Sequence, residues 1–164
     1  MISWTNSSLR LSNFFVTVNT LAQLFYILSP TSAAVTAPMN LESSASILTH
    51  AVAKTFAGIG VIDLLHNSSV AFFNHRTHPG PLGMLFTGVG FGALACCSDW
   101  IFGGCLVYDL VALGVGQRVY HNAGWSNLLF LYAGGTAALV ALKNLVVKPQ
   151  PYSSRRTEGY EPLK

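Results

Sequence analysis

"MLFTGVGFGALACCSDWIFGGCLVYDLVALGV", residues 84–115, decides how this chain folds. It holds no Lys or Arg and only two acids, Asp99 and Asp109. A run this apolar reads either as one long helix with an interfacial continuation, or as two helices folded at "CSDW", residues 97–100. A fold at that point needs a connection shorter than most helix–helix links. The spacing therefore favours one span over residues 82–108, with "YDLVALGVGQRVYHNAG" (108–124) trailing along the interface.

Outward from this run the chain has the same character. Charged residues make up 9% of its 164 residues and hydrophobic residues 51%. A soluble domain carries about 25% charged residues, and the mean hydropathy here is +0.47. Too few charges remain to hydrate a surface of this size. Runs of about 20 apolar residues are the mark of membrane spans, and three more occur, at residues 9–29, 46–73 and 125–147. The fold class expected is all-α: a polytopic transmembrane helical bundle, one domain over 1–148, with four spans favoured and five as the alternative. Residues 149–164, "PQPYSSRRTEGYEPLK", are polar and proline-rich and read as a disordered cytoplasmic tail. Within that tail "SSRR" offers weak affinity for anionic head groups. The first run ends in small residues, "SPTSAAVTAP" (29–38), that suit signal cleavage. Its length, and the lack of basic residues beyond Arg10, favour a retained helix.

Charge placement sets the expected orientation. Lys and Arg collect on the cytoplasmic side of membrane proteins. Residues 31–45 hold neither, whereas Arg76, Lys148, Arg155, Arg156 and Lys164 follow later spans. Four spans put both termini in the cytoplasm and leave only Arg118 on the other side. Asn6 and Asn67 both begin "NSS" but then face the wrong compartment, or the bilayer edge, for glycosylation. The net charge of +3 forms no stripe that follows a phosphate backbone, which excludes a nucleic-acid partner.

Acids inside a bilayer need a reason, because each costs several kcal/mol there (about 2.5–3.5 at mid-helix). Asp63 shares one helical face with His66, Asn67 and Val70 at i, i+3, i+4, i+7. Asp63 and Asp99, with Asp109 as a weaker third, are the candidate catalytic acids. Their pocket would be completed by His66, Asn67, Asn19 and Gln23. A buried carboxylic acid there would protonate an epoxide, alkene or carbonyl of a lipophilic substrate. Hydrogen bonding between helices is the competing use of the same groups. Lys54 shares a face with His50 and is expected to snorkel to the outer interface.

Small residues point to helix contacts. Gly88 and Gly92 are spaced for close backbone approach, and Gly134 and Gly135 offer a matching face on the last helix. Cys96, Cys97 and Cys105 have no metal or disulfide spacing and read as packing residues. His50, His66, His75, His78 and His121 are too scattered for a metal site. No metal and no cofactor is expected.

"FAGIGVID" (56–63), Asp109 in "YDLVALGVG" and "YHNAG" (120–124) resemble the pattern of small four-helix membrane families, the DoxX-like proteins and neighbouring domains of unknown function. "AKTFAG" (53–58) is similar to a stretch of the ergosterol-biosynthesis scaffold family. The resemblance implies a four-helix bundle and a role beside lipophilic-metabolite biosynthesis (terpenoid, polyketide or sterol) in the endoplasmic reticulum of a fungus. The function expected is an acid–base catalyst of cyclisation or isomerisation, or an accessory, in secondary metabolism. A non-catalytic scaffold docking biosynthetic enzymes is the alternative, and a small transporter the third. Partners would be membrane lipid, a lipophilic small molecule, and other membrane enzymes or a second copy of the chain.

Overall fold

The computed structural model describes residues 2–32, 35, 39–72 and 79–146. Five helices account for most of them: α1 (Ile2–Leu28), α2 (Ser44–Phe72), α3 (Pro81–Cys97), α4 (Trp100–Val119) and α5 (Ala123–Val146). Stretches of α1 (Ser7–Leu28), α2 (Ser44–Ser69), α4 and α5 are long and apolar enough to cross a membrane, and α3 is a shorter apolar helix. The chain is a small polytopic membrane protein.

The third apolar run is two helices rather than the single span expected over 82–108. Its break lies at Ser98 and Asp99, both in extended conformation. Two side chains make so short a link workable. Ser98 gives its hydroxyl to Ala95 O at 2.8 Å, closing the end of α3. Asp99 is the N-cap of α4, its Oδ1 accepting the Phe102 N–H at 3.0 Å. Short polar side chains compete with the helical ladder in this way and favour caps. The Ser98 carbonyl, orphaned by the break, accepts from Lys143 and from Asn144 Nδ2 (3.3 Å) on α5. Length statistics argued against a hairpin here, but with capping inside the link itself no loop is needed.

Other ends are equally explicit. Pro81 opens α3 at its first turn, where a missing N–H costs nothing. Between α4 and α5, His121 takes a left-handed conformation (φ 58°). There the Asn122 N–H reaches back to Gln117 O at 3.0 Å. This six-to-one bond across a left-handed residue is the Schellman closure.

Contacts fix the direction of each helix. α1 and α2 are antiparallel: Thr20 Oγ1 donates to Gly60 O (2.8 Å) and Ser68 Oγ to Asn13 Oδ1 (3.0 Å). α4 and α5 are antiparallel too, with Ser126 Oγ on Gly114 O at 2.7 Å and Val140 against Gly103. α2 and α4 run parallel, because Lys54 meets Asp99 and Gly58 meets Cys105. α3 must therefore reverse between them. It lies along α5, where the Tyr132 hydroxyl donates to Met84 O at 3.1 Å and Gly88 packs on the Tyr132 ring.

The core follows from these pairings. Phe102, Leu106 and Leu110 of α4 recur every four residues and pack with Phe91, Trp125, Leu129 and Ala133. Most other large apolar side chains face outward, among them Phe14, Phe25, Phe86, Leu131 and Leu142. In water such a surface would aggregate; in lipid it is the ordinary exterior.

Candidate functional site

A charged cluster sits where α2 meets the break before α4. Lys54, one turn after His50, is buried and ion-pairs with Asp99 Oδ2. Its Nζ also lies 2.7 Å from His50 Nδ1. An ammonium has donors only. His50 Nδ1 must therefore accept, which puts the imidazole proton on Nε2. His50 itself is 2% exposed. Lys54 thus does not snorkel outward as expected; it points inward, onto Asp99 and His50. Lysine and histidine at i, i+4, followed later by a Ser-Asp cap before an apolar run, are the sequence signal that could have found this cluster.

Asp99 has no free oxygen for acid catalysis. Oδ2 binds Lys54 and Oδ1 caps α4. The acid expected to line a pocket with Asp63 instead braces two parallel helices. Asp63 lies nine residues beyond Lys54, or about 13 Å along the axis, so the two acids do not meet.

The Asp63 face points away from the rest of the chain. Asp63 and His66 are exposed, on the same outward stripe as Val52, Phe56 and Ile59. Asn67 is half-buried and its amide returns to Asp63 O at 2.9 Å. Asn19 is exposed on α1. Gln23 is half-buried, and its Oε1 is a buried atom with no hydrogen-bond partner among the described residues. A Cβ on Gly60 would come within 2.6 Å of that oxygen. The pocket expected from these residues does not assemble: α2 turns its flank with Gly60, Ala57 and Ser68 toward α1 or the core, and that rotation carries Asp63 and His66 outward.

Asp109 is the acid that the structure encloses. It is 3% exposed, one turn beyond Cys105, and its Oδ2 has no partner among the described residues. Asp63 lies within electrostatic reach of it. The weakest of the three acids by sequence is thus the one whose chemistry remains uncommitted.

The glycines divide. Gly88 packs on Tyr132, but Gly92, Gly134 and Gly135 have open space where a Cβ would stand. Within one copy of the chain, Gly92 and the Gly134–Gly135 pair therefore do not pack together: α3 meets α5 through Gly88 and Tyr132 instead. The close helix approaches are at Gly58, facing Cys105, and at Gly60, facing Thr20 and Gln23. Cys96 and Cys97 are exposed and all three cysteines are free thiols. His75 and His78 lie outside the described residues. Among the described residues no group of three His, Cys, Asp or Glu is placed to hold a metal ion. An open groove of about 730 Å³ runs along the end of α1, lined by apolar residues such as Leu21, Leu24, Phe25 and Leu28 with Ser29 and Pro30; Asp109 does not line it.

No family model, no curated protein and no solved structure matches the chain.

Proposed function

We propose that this protein is a non-catalytic membrane scaffold that docks other membrane proteins through its outer helix faces. One observation carries it. The helices form an open row rather than a closed bundle: α1 packs on α2, α2 on α4, α4 on α5, and α3 chiefly on α5. Each long span hides only 17–33% of its residues inside the molecule. Polar groups that catalysis would need are spent on joining helices, as at Lys54–Asp99 and Thr20–Gly60. Smooth outward positions, such as Gly134 and Gly135 on α5, remain for a neighbour to approach. The partners in view are membrane enzymes that handle lipophilic metabolites.

The scaffold crosses the bilayer five times. From Lys54 to Phe72 α2 rises about 27 Å, and α3, with 17 residues, rises about 25 Å. Both fall a few Å short of a hydrocarbon core of about 30 Å, a mismatch met by local thinning of the bilayer. Since α2 and α4 are parallel, α3 has to return through the same layer. The termini then emerge on opposite faces, in contrast to the four-span expectation. Arg10, Arg76 and Arg118 then belong to one face, while the basic tail with Lys148, Arg155, Arg156 and Lys164 follows the other, so this arrangement breaks the charge rule at the tail.

Size on native gels tests the scaffold. The full-length chain, extracted in a mild detergent, should migrate well above its 17.6 kDa mass with defined partners. Gly134→Leu with Gly135→Leu should shrink that complex, because among the described residues nothing stands where their side chains would go. An unchanged complex would count against docking through α5.

One atom favours a second function. Asp109 Oδ2 is buried and unpartnered, as an acid that donates a proton would be. A protonated carboxyl there would give its proton to an alkene of a lipophilic substrate. It would then recover one from the neighbouring carbon, an isomerisation that leaves the proton count unchanged. Asp109→Asn abolishing a metabolite conversion, with complex size intact, would replace the scaffold with this enzyme.

A further inference from the structure

Asp63 stands nine residues from Lys54 and nine from Phe72. It lies within the apolar stretch Ser44–Ser69 that is long enough to cross a membrane, six residues or about 9 Å before its end. Its neighbours on the outward stripe are Val52, Phe56 and Ile59 on one side and His66 on the other, all exposed. An acid and an imidazole facing lipid within this span need partners, since polar groups within the bilayer persist by pairing. Neighbouring polar groups on α2 are already engaged. The Asn67 amide is bound to Asp63 O, and the Ser69 hydroxyl to His66 O at 2.9 Å. Lys54 is turned inward onto Asp99.

We propose that a second copy of this chain docks on the Val52–Phe56–Ile59–Asp63–His66 stripe of α2. Across a twofold axis normal to the membrane, Asp63 of each copy accepts a hydrogen bond from the partner's His66. The stripe is self-complementary for this purpose. Acid and imidazole lie one turn apart, about 4.5 Å along the axis. A parallel copy related by that axis sets each imidazole across from an acid, twice per dimer, with the 4.5 Å difference in depth to be bridged by the two side chains. Such an isologous contact closes on itself and needs no third component. Any other membrane protein would have to supply both groups at that depth independently. Phe56 and Ile59 then pack across the axis in place of lipid. This goes beyond the scaffold reading and does not rest on it, because docking of other proteins was assigned to α5.

Disulfide trapping in membranes tests the contact. In full-length chain with Cys96→Ala, Cys97→Ala and Cys105→Ala, a cysteine placed by Ile59→Cys should cross-link two copies on oxidation. One placed by Leu142→Cys on α5 should not. Asp63→His alone gives two imidazoles and should cut the cross-linked dimer about tenfold, as expected for losing two hydrogen bonds between helices. His66→Asp added to Asp63→His exchanges the two groups and should restore it. Restoration is the readout that a merely misfolded variant would not give. Equal cross-linking at both positions, no response to Asp63→His, or failure of the exchange to rescue would overturn the proposal. So would recovery of a different protein at the Ile59→Cys site. The α5 glycine variants are scored separately, so failure of the dimer and failure of the scaffold can be told apart.

Discussion

Lys54 of α2 and Asp99, the cap of α4, form an ion pair that ties two parallel helices together at the point where the third apolar run breaks. Lys54 is buried whereas the Asp99 side chain is 38% exposed. The pair therefore gains from low dielectric on one side and is screened on the other. Asp99 does two jobs, and they are separable. Asp99→Asn keeps a capping oxygen and loses the charge; Asp99→Ala loses both. We expect Asp99→Ala to cost about 1 kcal/mol more than Asp99→Asn, the worth of an N-cap. Thermal unfolding in detergent would check this. Equal losses would mean that Asp99 Oδ1 does not hold the start of α4.

Gly58 should tolerate no side chain. A Cβ there would stand 2.5 Å from Cys105 Cβ, so α2 and α4 would have to move apart. Gly58→Ala should destabilise by about 1–3 kcal/mol, the range for overpacking. Cys105→Gly should relieve it by removing the atom in the way. Gly90→Ala, on open space in α3, should instead be neutral or stabilising by up to about 1 kcal/mol, because Ala is the better helix former. Matching melting temperatures for the two alanine variants would refute close packing at Gly58.

Asp109 invites a stability test with an unusual sign. A buried acid oxygen without a partner is costly, and an apolar replacement of similar size removes the cost. Asp109→Leu should therefore melt no lower than the parent chain, and higher if the side chain fits. A fall of several degrees would show that Asp109 has a structural partner in the membrane. Loss of an activity together with a gain in stability would mark Asp109 as a functional acid, held at the expense of the fold.

The five crossings proposed above rest on the parallel α2 and α4. Tags at the two ends should be reached by protease or membrane-impermeant label from opposite faces of sealed vesicles. Both tags on one face would mean that α3 does not cross. The contacts of Lys54 with Asp99 and of Gly58 with Cys105 could then not hold in the membrane.

Much of this protein was legible in its residues, for a definite physical reason. Long apolar runs with few charges leave a chain no solvent but lipid, and lipid leaves the backbone no structure but helix, or a closed barrel that these 20-residue runs do not suit. Hence the all-α class, and the positions of the second and last long helices to within two residues, follow from hydropathy alone; the first helix starts seven residues earlier than expected, at Ile2. The break at Ser98–Asp99 was legible in chemistry, as a cap, but hidden from length statistics.

What periodicity could not supply was the rotation of each helix about its own axis. Helical spacing puts Asp63, His66 and Asn67 on one side of α2, yet no pattern within α2 says whether that side meets protein or lipid. A lipid-facing side is as apolar as a buried one, so hydrophobic contrast, the usual guide to inside and outside, is weak here. Only the tertiary contacts decided it. Gly58 and Gly60 let α4 and α1 come close, Lys54 found Asp99 from a distant part of the chain, and the same turn of α2 that made those contacts left Asp63 pointing out.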